Sequence, residues 1–103
     1  MVEARQTKEF SAWLRRLRDA NAVARIVARI RCMEEGNPGD SRSVGKGVME
    51  MRIAYGPGYR VYYLSRGAQI VILLCGGDKR TQRQDIEQAQ ILAGHCDAQD
   101  HTI

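Results

Sequence analysis

Val48-Met49-Glu50-Met51-Arg52-Ile53-Ala54-Tyr55-Gly56-Pro57-Gly58-Tyr59-Arg60-Val61-Tyr62-Tyr63 alternates in side-chain character on both sides of a Gly-Pro-Gly turn. Met49, Met51, Ile53 and Tyr55 point one way, and Val48, Glu50, Arg52 and Ala54 the other, as the pleat of a β-strand requires. Past the turn, Tyr59, Val61 and Tyr63 share one face and Arg60, Tyr62 and Leu64 the opposite one. Arg66-Gly67 turns the chain again. Ile70–Cys75 is apolar on both faces, the pattern of an interior strand. Gly76-Gly77-Asp78-Lys79 is expected to leave the sheet, which completes a three-strand meander.

Upstream of the meander the period changes from two to that of a helix. Phe10, Trp13, Leu14 and Leu17 recur at i, i+3, i+4 and i+7 behind Thr7, an N-cap candidate. Asp19-Ala20-Asn21 interrupts the stripe and supplies new caps. A second helix carries Val23, Ile26, Val27, Ile30 and Met33 on one face and ends at Glu35-Gly36, where glycine suits a left-handed cap. Val2, Ala4 and Gln6 alternate with charged residues and suggest a short edge strand. Downstream, Thr81 and Gln84 resemble a capping box, and Ile86, Ala89 and Ala93 would dock a last helix. Gly94 to Ile103 has no stripe and reads as a frayed tail. The expected class is α+β, an N-terminal helix hairpin packed on a mainly antiparallel, curved sheet with a C-terminal helix. Residues 1–96 would form the single domain and 97–103 a flexible tail.

The hairpin covers the Met49/Met51/Ile53 face, because an apolar face needs an apolar partner. Glu50, Arg52, Arg60 and Tyr62 must then share the other face, which is expected to be exposed. Between Arg42 and Arg66 there are five basic residues (Arg42, Lys46, Arg52, Arg60, Arg66) against one acid, Glu50. The net charge is +4, and its concentration on a strand-rich stretch favours a polyanionic partner. Cys32, Cys75 and Cys96 are odd in number and form no CxxC pair. They suggest neither a disulfide framework nor a zinc site, and point to a reducing cytosol. The charged N-terminus lacks the apolar stretch of a signal peptide, and Ile70–Cys75 is too short to cross a bilayer. A cytoplasmic protein with no membrane partner, metal or cofactor is expected.

The quoted stretch resembles the core of the RelE/ParE toxin superfamily, most closely its HigB-like branch of addiction-module killer proteins. Phe10-x-x-Trp13-Leu14, the Gly36-Asn37-Pro38-Gly39-Asp40 loop and Leu73-Leu74-Cys75-Gly76-Gly77-Asp78-Lys79-x-Thr81-Gln82, running into Asp85-Ile86, fit the same branch. The match spans roughly residues 7–93, with four motifs in the right order. The resemblance implies helices on an antiparallel sheet and, in RelE-like members, metal-independent cleavage of mRNA on the ribosome. It also implies a cognate helix-turn-helix antitoxin that covers the basic residues or displaces the C-terminal helix. Operator DNA would be reached only through that antitoxin. ParE-like members share the fold but inhibit DNA gyrase, so fold does not select the activity.

Metal-free RNA cleavage needs a base for the 2′-hydroxyl, cations for the charged phosphorane and an acid for the leaving oxygen. Glu50 occupies the strand position where the family places a glutamate or lysine, and is the candidate base. Arg60 matches the family's strand arginine, and its planar fork suits a phosphate. Arg52 and Lys79 would add positive potential, and Lys46, Tyr62 and Arg80 would contact RNA, Tyr62 by stacking or a hydrogen bond. Each has a plainer reading. Glu50 between two arginines can be a cross-strand ion pair worth about 0.2–1 kcal/mol. Lys79 and Arg80 can be solvated residues ahead of a helix, and Trp13 an anchor of the hairpin. The acid is unassigned: His95 and His101 lie outside the motifs, and no tyrosine follows Tyr63. An endoribonuclease toxin, a gyrase-inhibiting toxin and a catalytically silent antitoxin-binding co-repressor therefore stay open.

Overall fold

A computed structural model of the chain describes residues 2–99, with side-chain surroundings through residue 96. The order is β1 (Glu3–Gln6), α1 (Lys8–Arg16), α2 (Ala20–Glu34), β2 (Ser41–Ser43), β3 (Val48–Ile53), β4 (Tyr59–Arg66), β5 (Ile70–Asp78) and α3 (Gln82–Gln99). The five strands lie in the order β1-β5-β4-β3-β2. β1 runs parallel to β5, and every other neighbour is antiparallel. The α+β class and the interior place of β5 are as the alternation implied. Among the described residues no helix is long and apolar enough to cross a membrane.

The first layer forms for the reasons the stripe gives. Thr7 caps α1: its hydroxyl oxygen accepts the Phe10 N–H at 3.0 Å and donates to the Leu74 carbonyl at 2.7 Å. One side chain thus starts a helix and ties that start to the interior strand β5. Asp19 caps α2 through the N–H groups of Asn21 and Ala22. Gly36 closes α2 at φ 99°, the left-handed conformation expected there. Phe10 from α1 and Ile26 and Met33 from α2 bury against Met51, Ile53, Val61, Tyr63, Val71 and Leu73 of the sheet. α2 spans this face from the end of β3 to β1. Its first turn meets Tyr55, whose hydroxyl donates to Asp19 at 3.0 Å, while the Glu34 carbonyl accepts the Val2 N–H at 2.7 Å.

Four expectations are corrected. Ser41–Ser43 pairs with β3 as a fifth strand; three residues carry too little alternation to announce it. Gly76 and Gly77 do not leave the sheet but pair with Val61 and Arg60. Both lack a side chain because helices press on them from opposite faces. A Cβ at Gly76 would overlap the Trp13 ring, and one at Gly77 would overlap the Asp85 carboxylate. Thr81 forms no capping box with Gln84. Its hydroxyl donates to Asp85 at 2.6 Å, and Asp78 caps the short 3-10 turn Lys79–Thr81 that precedes α3.

The fourth correction matters most. α3 lies across the face expected to be exposed, and packs Ala89 and Ala93 onto Val48, Tyr62, Leu64, Leu74 and Cys75. The alternation had distributed apolar residues to both faces of β4 and β5, so both needed cover. The helix continues past Gly94 to Gln99, with Cys96 partly buried against the same cluster. Backbone helix therefore enters the stretch expected to be a tail. The remaining residues of that stretch, His101 among them, lie outside the described residues.

Candidate functional site

Register assembles the candidate residues in two rows across the sheet. In the first, Arg42 of β2, Glu50 of β3, Tyr62 of β4 and Cys75 of β5 stand side by side. In the second, Arg52 and Arg60 face each other beside Gly77. The sharing of one face is as the pleat required; its exposure is not. Glu50 and Tyr62 are both 0% exposed.

Glu50 is buried among donors. Its Oε1 accepts from Arg42 Nε at 2.9 Å, and its Oε2 accepts from the Tyr62 hydroxyl at 3.1 Å and from Gln82 Nε2 at 2.8 Å. Burial alone would raise its pKa. The hydrogen bonds from Arg42, Gln82 and Tyr62, with the Arg42 charge, outweigh burial and hold the carboxyl below its ordinary value. Tyr62 is driven the other way, first by burial and then by the neighbouring carboxylate, and stays a protonated donor. Gln82 is the first residue of α3, so the carboxylate also ties the start of that helix to the sheet.

The second row emerges at the α3 N-terminus. Two arginines directly opposite each other repel, and they diverge. Arg52 turns to Asp40 at 3.1 Å and keeps 46% of its side chain exposed. Arg60 is half-buried, and its Nε is shielded with no hydrogen-bond partner among the described residues. A shielded guanidinium N–H without an acceptor is costly, on the order of 1–3 kcal/mol. Lys79 is exposed, with its Cβ about 3.6 Å from where a Cβ on Gly58 would sit, at this same end of the sheet. Arg80 pairs with Asp78 at 3.1 Å, and that hydrogen bond is the main reason the Asp78 carboxyl titrates below the usual range.

The other candidates are not brought together. Lys46 sits in the β2–β3 turn at φ 55°, beside the Val48–Leu64 pair and so at the opposite end of β3 from Arg52. His95 is exposed on α3. At about 1.5 Å per residue it lies on the order of 20 Å along the axis from Gln82, too far to serve chemistry beside Arg60. Two participants escaped the sequence reading: Arg42 as the cation that neutralises Glu50, and Gln82 as the link from that carboxylate to α3. Gln82 was within a quoted motif. Arg42 stood in a strand too short to recognise.

Comparison with known proteins places the chain. Residues 12–93 match the family model described as Phage derived protein Gp49-like (DUF891). The chain belongs to this Gp49-like family. A Haemophilus influenzae protein, described only as uncharacterized, is 48% identical over 92 residues, which cover 89% of this chain and 93% of the relative. The matched span runs from α1 through Ala93 of α3, so it includes both rows and the helix that covers the first.

Proposed function

We propose that the chain is the toxin of a type II toxin–antitoxin pair, of the RelE/ParE superfamily and its HigB-like branch. Its activity in this reading is metal-independent, ribosome-dependent cleavage of mRNA. Membership of a phage-derived family supports the addiction-module role, and the helix-hairpin-on-sheet architecture agrees with what the resemblance implies. The observation that supports the nuclease reading is Arg60: a half-buried strand arginine directly opposite Arg52 and at the same end of the sheet as Lys79, a set of cations that suits a phosphate.

The division of labour differs from that expected of the sequence. A general base needs access to the hydroxyl and a pKa near the working pH. Glu50 has neither, because three donors occupy its oxygens beneath α3. In this reading Glu50 is a positioning residue that holds Arg42, Tyr62 and the start of α3. Tyr62, buried beneath the same helix, is its donor and not a stacking platform. Arg60 binds the phosphate, with Arg52 and Lys79 as supporting charge. A cognate antitoxin is the expected partner.

Burial of Glu50 also gives weight to gyrase inhibition, which needs no base on this face. Cleavage assays on translating ribosomes separate the two. If Arg60 stabilises the phosphorane, Arg60→Ala lowers the rate by on the order of 10²–10³-fold. A change of about fivefold would mean surface charge alone and would retire the catalytic role.

A further inference from the structure

The edge of the sheet away from β4 is only half covered. β1 pairs with Ile70–Leu73 of β5 and then stops. The Thr7 N–H takes the Leu73 carbonyl at 3.1 Å and the Thr7 hydroxyl takes that of Leu74, after which the chain turns away into α1. Among the described residues, Cys75–Asp78 of β5 has a strand neighbour on the β4 side only.

The vacant side is a cleft of about 390 Å³. α1 forms one wall with Glu9, Ala12, Trp13 and Arg16, and the start of α3 forms the other with Thr81, Asp85 and Gln88. The Gly76-Gly77 backbone is its floor. The helices are brought this near by the two glycines, on whose opposite faces Trp13 and Asp85 rest.

Its electrostatics oppose those of the rest of the molecule. In a chain of net charge +4, Glu9, Asp78 and Asp85 converge here against Arg16 and against Arg80, which pairs with Asp78. Their field reaches the neighbouring groups. Burial first, and then Asp85 and Glu9, push the Cys75 thiol up to about 12. Asp85 is itself raised, by burial and then by Asp78, against the Thr81 hydrogen bond.

We propose that this lane docks an extended, basic segment of a partner polypeptide, added as a short strand beside Cys75–Asp78. Main-chain hydrogen bonds to the open edge would supply affinity, and alternate side chains would turn toward the two walls. A guanidinium on the α1 side would meet both the Glu9 carboxylate and the Trp13 ring, which suit it together. Asp85 would receive a cation on the α3 side. The proposal stands whether the basic rim acts on RNA or on another target.

Trp13 is the chain's only tryptophan, so its emission reports the cleft directly. The probe is the end-blocked tetrapeptide Val-Arg-Arg-Val, whose adjacent arginines turn to opposite walls, titrated into the whole chain. Its fully backbone N-methylated form, Val-Glu-Glu-Val and arginine amide serve as controls. A saturable change is expected with the first peptide. Binding should be weaker by on the order of tenfold or more after N-methylation, and absent with the acidic peptide. Glu9→Lys, at a half-buried position on the first turn of α1, should weaken the basic peptide while leaving the far-ultraviolet circular dichroism unchanged. No response, or equal affinity for the N-methylated peptide, would overturn the strand-docking proposal. A response to arginine amide matching that to the peptide would reduce the cleft to a site for isolated cations, and overturn it equally.

Discussion

Tyr62→Phe removes one oxygen from the centre of the molecule and nothing else. The hydroxyl is fully buried and donates to the Glu50 carboxylate at 3.1 Å. A hydrogen bond to a charged group contributes about 1.5–3 kcal/mol, and the ring that remains leaves no cavity large enough to add a packing cost. For a domain near this size, about 1 kcal/mol moves Tm by roughly 4–8 °C, so a loss of about 6–24 °C is expected at pH 7. The pH dependence follows from linkage. Wild-type Glu50 titrates below its ordinary value, so its contribution is complete above the unfolded pKa of about 4.3 and is lost as pH falls through the lower folded pKa. Removing the Tyr62 donor raises the folded pKa. The gap between variant and wild type should therefore be widest near neutrality and should narrow in acid as Glu50 protonates. Thermal unfolding followed by circular dichroism at pH 7 and near pH 3 measures both. Were Tyr62 on an open face, Tyr62→Phe would change stability by no more than about 0.5 kcal/mol. A shift that small would refute the buried network.

Gly76→Ala and Gly77→Ala should each destabilise by about 1–3 kcal/mol, because the new methyl meets Trp13 or Asp85; denaturant midpoints give the value, and unchanged midpoints would show that the helices stand off the strand. Thr7→Ala should cost about 1 kcal/mol through the lost α1 cap, and slightly more if the bond to the Leu74 carbonyl also counts. If the nuclease proposal holds, Arg52→Ala should weaken RNA cleavage less than Arg60→Ala, since Arg52 is already engaged by Asp40, and equal losses would contradict that ordering.

Alternation and helical stripes gave four of the five strands, the first two helices and their caps, because each depends on neighbours close in sequence. The sharing of one face by Glu50, Arg52, Arg60 and Tyr62 followed from the pleat in the same way. What did not follow was what lies on top. Whether α3 covers that face depends on where Asp78 and the turn at Lys79–Thr81 aim the helix, and on two glycines whose purpose is visible only once Trp13 and Asp85 rest on them. Local pattern therefore identified the row but not its burial, and the burial turns Glu50 from a candidate base into an anchored charge. Arg42 was hidden for a different reason. Its strand is three residues long, and it becomes a partner only through the register with Glu50.

The nuclease reading is tested most directly by mapping RNA 5′ ends after a brief pulse of expression, with wild type and Arg60→Ala side by side. The reading predicts new ends within translated messages for wild type and their near disappearance for the variant. Intact messages accompanied by DNA damage would contradict it and point to gyrase.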